Sequence, residues 1–178
     1  MARNAFAVTE HVHTAIRAAG WRGRVLPQTQ VSDYTVYPVI DVDSAVWAER
    51  VDKRQWPELD RSTLAIWEAW TADPGEAPPR STVSIVGFVS TASRPASALH
   101  ALDSLAGYGA GLWIAPGSHG PSRWTLAEFD VADIWVVHTR SAHNTVLVQG
   151  RHGPISTARR LTSTRHKEEL LFGQALVS

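Results

Sequence analysis

The chain has 178 residues, with 17 basic and 17 acidic side chains and no cysteine, and 44% of its residues are hydrophobic. Such a length and composition predict a globular protein with a hydrophobic core. The lack of cysteine excludes disulfides, thiolate zinc sites, iron–sulfur clusters and cysteine nucleophiles, and we predict neither a bound metal nor a cofactor. Apolar runs stay far below the roughly 18 residues of a membrane helix, so we expect no membrane partner.

The N-terminal part of the chain alternates between helical and extended patterns. Residues 5–19 carry apolar side chains at three- and four-residue steps, which predicts an amphipathic helix. Residues 24–42 are extended, and Pro38 predicts an edge strand because proline donates no ladder hydrogen bond. Two middle helices are predicted to begin at Asp43 and after Asp60, since aspartate is a good N-cap. The second helix is predicted to turn three side chains toward the core: Leu64, Trp67 and Trp70.

A proline-rich stretch at 71–80 predicts a linker or a long loop. It separates an N-terminal helical and strand region, 1–70, from a sheet-rich region with a basic C-terminal third, 81–178. We expect the two regions to form one compact domain overall.

The sheet-rich region is predicted to hold strands at 81–90 and 112–116, one or two strands within 124–139, a hairpin of 134–139 with 144–149, and helices at 95–106 and 163–176. Because strands follow one another after isolated helices, the order favours an α+β fold. We predict a mixed or mostly antiparallel sheet with an N-terminal helix, one or two middle helices and a C-terminal helix.

Positive charge is concentrated near the C-terminus of this neutral chain. The stretch from His138 to Lys167 contains six Arg or Lys, four His and no acidic residue. Serine and threonine are interleaved with these cations, and together they suit phosphate oxygens, above all near a helix N-terminus at Ser163. The predicted anion-binding side chains are Arg140, Arg151, Arg159, Arg160, Arg165 and Lys167. The alternative is that these cations pair with the acidic stretch 41–76 of the same chain.

Histidines near aspartates offer a second, catalytic interpretation. His138, His143 and Asp133 are the candidates for a group that activates water or binds a divalent metal. Their spacing matches no metal or hydrolase motif, so surface or structural roles are favoured for these side chains.

Eight tryptophans are many for this length, and four lie near the ends of predicted elements: Trp21, Trp47, Trp56 and Trp124. Partly exposed indoles are common at protein interfaces, so these four predict contact with another subunit. The alternative is partly buried packing within the chain.

The leading hypothesis is a non-enzymatic binding or assembly module that docks an anionic partner through residues 138–167. It would belong to a homo-oligomer or a larger particle, such as a phage tail or head–tail component. Two alternatives stay open: a metal- or histidine-dependent hydrolase of phosphoesters or nucleic acid, and an accessory nucleic-acid-binding protein. The first twenty residues do not resemble a signal peptide, so we expect a cytoplasmic protein, or a virion protein if it is a phage component.

Overall fold

A computed structural model describes residues 2–70, 77–140 and 143–178, with side chains for 10–70, 77–139 and 144–178. The helices in these ranges are α1 (Ala2–Ala18), α2 (Ser44–Asp52), α3 (Arg61–Glu68), α4 (Pro95–Ser104), α5 (Arg123–Val131) and α6 (Thr162–Val177). The strands are β1 (Arg24–Val25), β2 (Thr29–Val31), β3 (Tyr34–Val42), β4 (Val83–Ser90), β5 (Ala110–Ala115), β6 (Trp135–Arg140) and β7 (His143–Val148).

The strands form one mixed sheet in the order β1-β3-β4-β5-β6-β7, with β2 also paired to β3. Strands β4, β5 and β6 run parallel to one another, and their crossovers are α4 and α5. The pairs β3–β4 and β6–β7 are antiparallel. The fold is therefore α+β with a mixed sheet, as predicted. Because β3 pairs with β4, chain segments from both sides of the predicted linker contribute to this sheet; residues 71–76 of that linker lie outside the described residues.

Each face of the sheet is covered by its own hydrophobic core. On one face, Val12 and Ile16 of α1 pack with strand residues such as Leu112 and Val137. On the other face, α4, α5 and α6 contribute to a larger core, whose central members are Leu102, Phe129, Leu171, Phe172, Phe88, Trp113 and Val136. Because successive side chains of a strand point to opposite faces of the sheet, each strand contributes to both cores. The helices therefore pack in two layers, one on each face.

The predicted N-terminal, middle and C-terminal helices and the 134–149 hairpin are confirmed. Of the one or two strands predicted within 124–139, β6 is present, but there is no second strand at residues 123–131. These residues form α5, whose first turn is capped by Ser122, with Oγ accepting the N–H of Thr125 at 3.1 Å. Phe129 is fully buried on one side of α5, while Trp124 is 76% exposed on another. Apolar side chains on two sides of a short helix obscure the helical period that would have predicted it.

Two smaller expectations are also wrong. Pro38 does not lie on an edge strand, because β3 is paired on both sides; it falls between the stretches that pair with β1 and β2 and accepts a hydrogen bond from Leu26. Trp70 does not face the core, because α3 ends at Glu68 and the indole is 43% exposed beyond it.

None of the helices in the described part of the chain has both the length and the apolar character that crossing a bilayer requires.

The N-terminus of α3 depends on one carboxylate, and this predicts an acid-dependent loss of stability. Asp60 accepts hydrogen bonds from the Thr63 amide at 2.9 Å, from the Thr63 hydroxyl and from Ser62. These bonds, with that of Ser62 foremost, lower the pKa of Asp60 from 3.8 to about 2. A carboxylate with a depressed folded-state pKa stabilises the fold above its unfolded pKa and loses that contribution as the pH falls through the folded value.

We therefore expect the wild-type chain to lose stability relative to the Asp60→Asn variant as the pH falls from 3.8 to about 2. Asparagine still caps the helix but does not titrate in this range. Chemical unfolding followed by circular dichroism at a series of pH values measures the difference. Parallel acid profiles for the two chains would contradict the assignment.

Candidate anion-binding groove

The basic stretch from His138 to Lys167 does not form one continuous surface. Arg165 lies within α6 and is only 5% exposed, whereas Arg159 is exposed in the loop before that helix. Arg151 contacts the end of α5 instead. The side chains of Arg140 and His143 lie outside the described residues, so their roles stay predictions. The remaining cations of the stretch lie in different surroundings.

Arg165 belongs to a buried charge network between α2, α3 and α6. Both terminal nitrogens of Arg50 donate to the Glu169 carboxylate, at 2.7 and 2.9 Å. Arg165 forms an ion pair with the same carboxylate at 2.9 Å and donates to the carbonyl of Pro79. The rings of Phe172 and Trp67 lie 4.7 and 5.4 Å from the two guanidinium carbons. Burial lowers the pKa of Arg165, and the Glu169 charge opposes that shift. A guanidinium enclosed in this way is not available to an external anion.

Arg160 is also occupied by carboxylates of its own chain. It donates to Glu68 at 3.0 Å and to Glu168 at 2.7 and 3.0 Å, and the bond to Glu168 is the main cause of its raised pKa. The adjoining pocket is lined by Asp41 and Asp43 as well as Glu168, so its charge disfavours an anion. Arg160 therefore pairs with Glu68 of the acidic stretch 41–76, as the alternative of internal pairing predicts.

Arg151 supports the C-terminal end of α5. Its Nη1 donates to the carbonyl of Ala132 at 2.9 Å, and its backbone N–H donates to the carbonyl of Asp133 at 3.0 Å. A positive charge at a helix C-terminus interacts favourably with the helix dipole. Its Nε and Nη2 are buried without an acceptor among the described residues. The Arg151 side chain therefore stabilises the turn between α5 and β6.

A groove of about 420 Å³ lies where the loop before α6 meets the C-terminal end of α4. No carboxylate is among its lining residues, which are Ser104, Gly107, Tyr108, Thr157, Ala158, Arg159, Leu161, Ser163 and Thr164. Arg159 is exposed and makes no hydrogen bond or ion pair with the residues that the structure describes. Lys167 does not line the groove, but its ammonium lies 4.1 Å from the centroid of the Tyr108 ring, which does. Of the predicted anion-binding cations, Arg159 therefore lines the groove and Lys167 lies next to one of its lining residues.

The first turn of α6 opens onto the groove through Ser163 and Thr164. The N-cap residue, Leu161, has no side-chain acceptor, and its carbonyl accepts the N–H groups of Thr164 and Arg165 at 2.9 and 3.2 Å. The N–H groups of Thr162 and Ser163 have no acceptor within the described residues. Free N–H groups and the positive end of the helix dipole favour a negative ligand at this position.

The pKa values of two neighbouring side chains reflect positive charge around the groove. A hydrogen bond to Ser163 lowers the pKa of Tyr108, and the charges of Lys167 and Arg61 lower it further. Burial lowers the pKa of His166, and the same two cations add to that shift. Arg61 of α3 thus contributes to the electrostatic potential near the groove, although the sequence alone did not single it out.

The histidine and aspartate proposed for catalysis are not brought together. His138 is 6% exposed, and its Nε2 donates to the carbonyl of Gly117 at 2.8 Å. Asp133 precedes β6 at the opposite end of the same strand, and five extended residues span about 16 Å. Among the side chains that the structure describes, those of residues 10–70, 77–139 and 144–178, no group of three or more His, Asp or Glu could hold a metal ion.

The four tryptophans predicted at interfaces differ in exposure. Trp21 is 5% exposed and packs against Gly87, where even a Cβ atom would meet its ring at 2.6 Å, so the expectation of a partly exposed indole is wrong for Trp21. Trp47 is half-buried, with its ring 5.0 Å from that of Phe172. Trp56 and Trp124 are 62% and 76% exposed. Their roles at an interface stay predictions.

Sequence reasoning missed Tyr108, Glu168 and Glu169. Tyr108 lies between Gly107 and Gly109, and no local signal ties it to α6. Glu168 and Glu169 directly follow the acid-free stretch, and the Arg165–Glu169 spacing of four residues is a signal for an ion pair on one side of a helix. Those two glutamates explain why part of the basic stretch is neutralised.

By fold, the molecule is an α+β protein with a mixed sheet covered on both faces, and a groove without lining carboxylates lies at the start of its last helix. Comparison with protein-family models, curated proteins and solved structures finds no match to this chain.

Proposed function

We propose that this protein is a non-enzymatic binding module that holds a phosphate-bearing group of a partner in the α6 groove. The observation that carries the proposal is the exposed, unpaired Arg159 in a groove without lining carboxylates. Of the cations in the basic stretch whose side chains are described, Arg160 and Arg165 are held by glutamates and Arg151 by the Ala132 carbonyl. Arg159 is left as the cation that lines the groove, with Lys167 beside the Tyr108 ring.

The chemistry of the groove suits a tetrahedral oxyanion. A phosphate needs several donors around it, and here a guanidinium, the hydroxyls of Thr157 and Thr164, and the free N–H groups of α6 are available. The volume of about 420 Å³ is within the usual range for small-ligand pockets, so the groove has room for a phosphate with part of the group that carries it.

The wider hypotheses stay predictions. The groove does not bear on whether the protein belongs to a homo-oligomer or a phage-type particle. It also does not bear on a cytoplasmic or virion location. Hydrolysis also stays a prediction: Asp133 and His138 lie at opposite ends of β6, and the side chain of His143 lies outside the described residues. Accessory nucleic-acid binding is compatible with the groove, because a phosphodiester presents the same oxygens as a phosphomonoester.

We expect Arg159→Ala to weaken the binding of inorganic phosphate by about tenfold or more, since a hydrogen bond to a charged group contributes about 1.5–3 kcal/mol. NMR titration of the wild-type chain should shift the amide signals of Thr162 and Ser163 first. The matched control is Arg22→Ala, which removes an equally exposed arginine outside the groove and should leave the affinity unchanged.

Equal weakening by both substitutions, or unmoved Thr162 and Ser163 signals, would contradict the proposal. The same titration with a short single-stranded oligonucleotide distinguishes ligand classes. A nucleic-acid partner is expected to bind more tightly than phosphate, with an affinity that falls steeply with salt because several phosphates are contacted. An oligonucleotide no tighter than phosphate indicates a ligand with a single anionic group.

A further inference from the structure

Helix α5 presents an apolar stripe to solvent. Trp124 and Val131 are 76% and 87% exposed, and the exposed Ala127 lies between them at helical steps of three and four residues. The buried side of the helix is held instead by Phe129, which is fully buried. An exposed indole aligned with an exposed valine on one helix face is typical of a contact surface, because these side chains add nothing to the core beneath them.

Opposite charges lie along one flank of this stripe. Arg123 begins α5 and Asp130 lies seven residues later, which is two helical turns, so both side chains project from the same side. A rise of about 10 Å separates them along the axis, and neither forms an ion pair with another described residue. The other flank carries Glu128.

The flank that carries Arg123 and Asp130 is complementary to itself, whereas on the other flank Glu128 faces the partner's Glu128, so two ion pairs oppose one like-charge contact. When two copies of a helix pair antiparallel about a twofold axis, each flank faces the same flank of the partner running in the opposite direction. Arg123 then faces Asp130 of the partner subunit, and the partner's Arg123 faces Asp130. Trp124 packs toward the partner's Val131, and the small Ala127 near the axis allows the helices to approach closely. The two helix dipoles are also antiparallel, which is favourable.

We propose that α5 is the contact surface of a twofold-symmetric homodimer, in which Trp124 and Val131 form the apolar centre and Arg123 and Asp130 form two reciprocal ion pairs. This inference does not depend on the anion groove, whose lining contains no residue of α5. A nine-residue helix is about 13.5 Å long, so the contact is at the small end of protein interfaces and the dimer dissociates on dilution.

The test uses sedimentation velocity of the full chain from micromolar to millimolar concentration at low salt. Wild type is expected to show a concentration-dependent monomer–dimer equilibrium, and Trp124→Ala is expected to remain monomeric. Arg123→Asp and Asp130→Arg, each alone, bring like charges together and should also be monomeric. An equimolar mixture of these two single variants restores opposite charges in both pairs and should therefore dimerise.

Arg123→Asp and Asp130→Arg are both expected to fold normally. An acid in the first turn and a base in the last turn of a helix interact favourably with its dipole. Circular dichroism and the unfolding midpoint check this for each chain. A monomeric wild type at millimolar concentration, or a mixture of the two charge variants that stays monomeric, would overturn the proposal. An unchanged dimer in Trp124→Ala would do so as well.

Discussion

Replacing Glu169 with glutamine is expected to destabilise the protein by about 3–5 kcal/mol, because it leaves buried cations without their counter-charge. Glu169 is 1% exposed, and its carboxylate accepts hydrogen bonds from Arg50 and from the backbone N–H of Glu58 at 3.1 Å, and forms an ion pair with Arg165. A glutamine side chain offers one oxygen where the carboxylate offers two, and its amide N–H₂ must face a guanidinium. The neutral substitute therefore loses both charge and acceptor capacity.

Urea unfolding followed by circular dichroism measures this effect as a lower midpoint with an unchanged slope. The matched control is Glu49→Gln on α2, which removes a carboxylate paired with Lys53 at 2.9 Å on the surface. Solvent screens such a pair, so its midpoint should remain close to that of wild type. If Glu169→Gln and Glu49→Gln shifted the midpoint equally, the network would not have the role assigned to it.

Truncating Phe129 to alanine is expected to destabilise the protein by a similar amount, about 3–5 kcal/mol, through the cavity that it leaves. Phe129 is fully buried, and its ring stacks on that of Trp113 with centroids 4.8 Å apart. Trp113 is itself fixed by a hydrogen bond from its indole N–H to the carbonyl of Ala92 at 2.9 Å. Because Trp113 is fixed in place, the neighbouring side chains cannot readily move into the cavity that the Phe129 ring leaves.

The same unfolding experiment measures this change, with Phe129→Leu as the control that keeps most of the buried volume. That control should cost less than about 1.5 kcal/mol, the usual limit for a swap that conserves volume. A cost for Phe129→Ala no larger than that of Phe129→Leu would show that the site repacks and that the stack contributes little.

The secondary structure followed from short-range patterns where those patterns were consistent. Residues 5–19 and 163–176 have helical periodicity, and the alternation in 134–149 marked a hairpin. Helix α5 was missed because Trp124 and Val131 face solvent while Phe129 faces the core. In a short helix this mixture leaves no single apolar face for sequence analysis to detect.

The candidate site was predicted only in part, for an electrostatic reason. Residue type and spacing marked Arg159, Lys167 and Ser163 as donors near the start of a helix. The same reasoning grouped Arg160 and Arg165 with them, although these two are held by Glu68, Glu168 and Glu169. An arginine count measures charge but not whether that charge is already neutralised.

The sequence by itself determined the fold class, the positions of most helices and strands and the excess of cations near the C-terminus, because periodicity, capping and composition act over a few residues. Only the tertiary structure decided which of those cations remain free and which indoles are exposed. Arg50 meets Glu169 across 119 positions of the chain, and Trp21 lies against Gly87 of a distant strand. Burial and counter-charge depend on such long-range contacts, which no local pattern specifies.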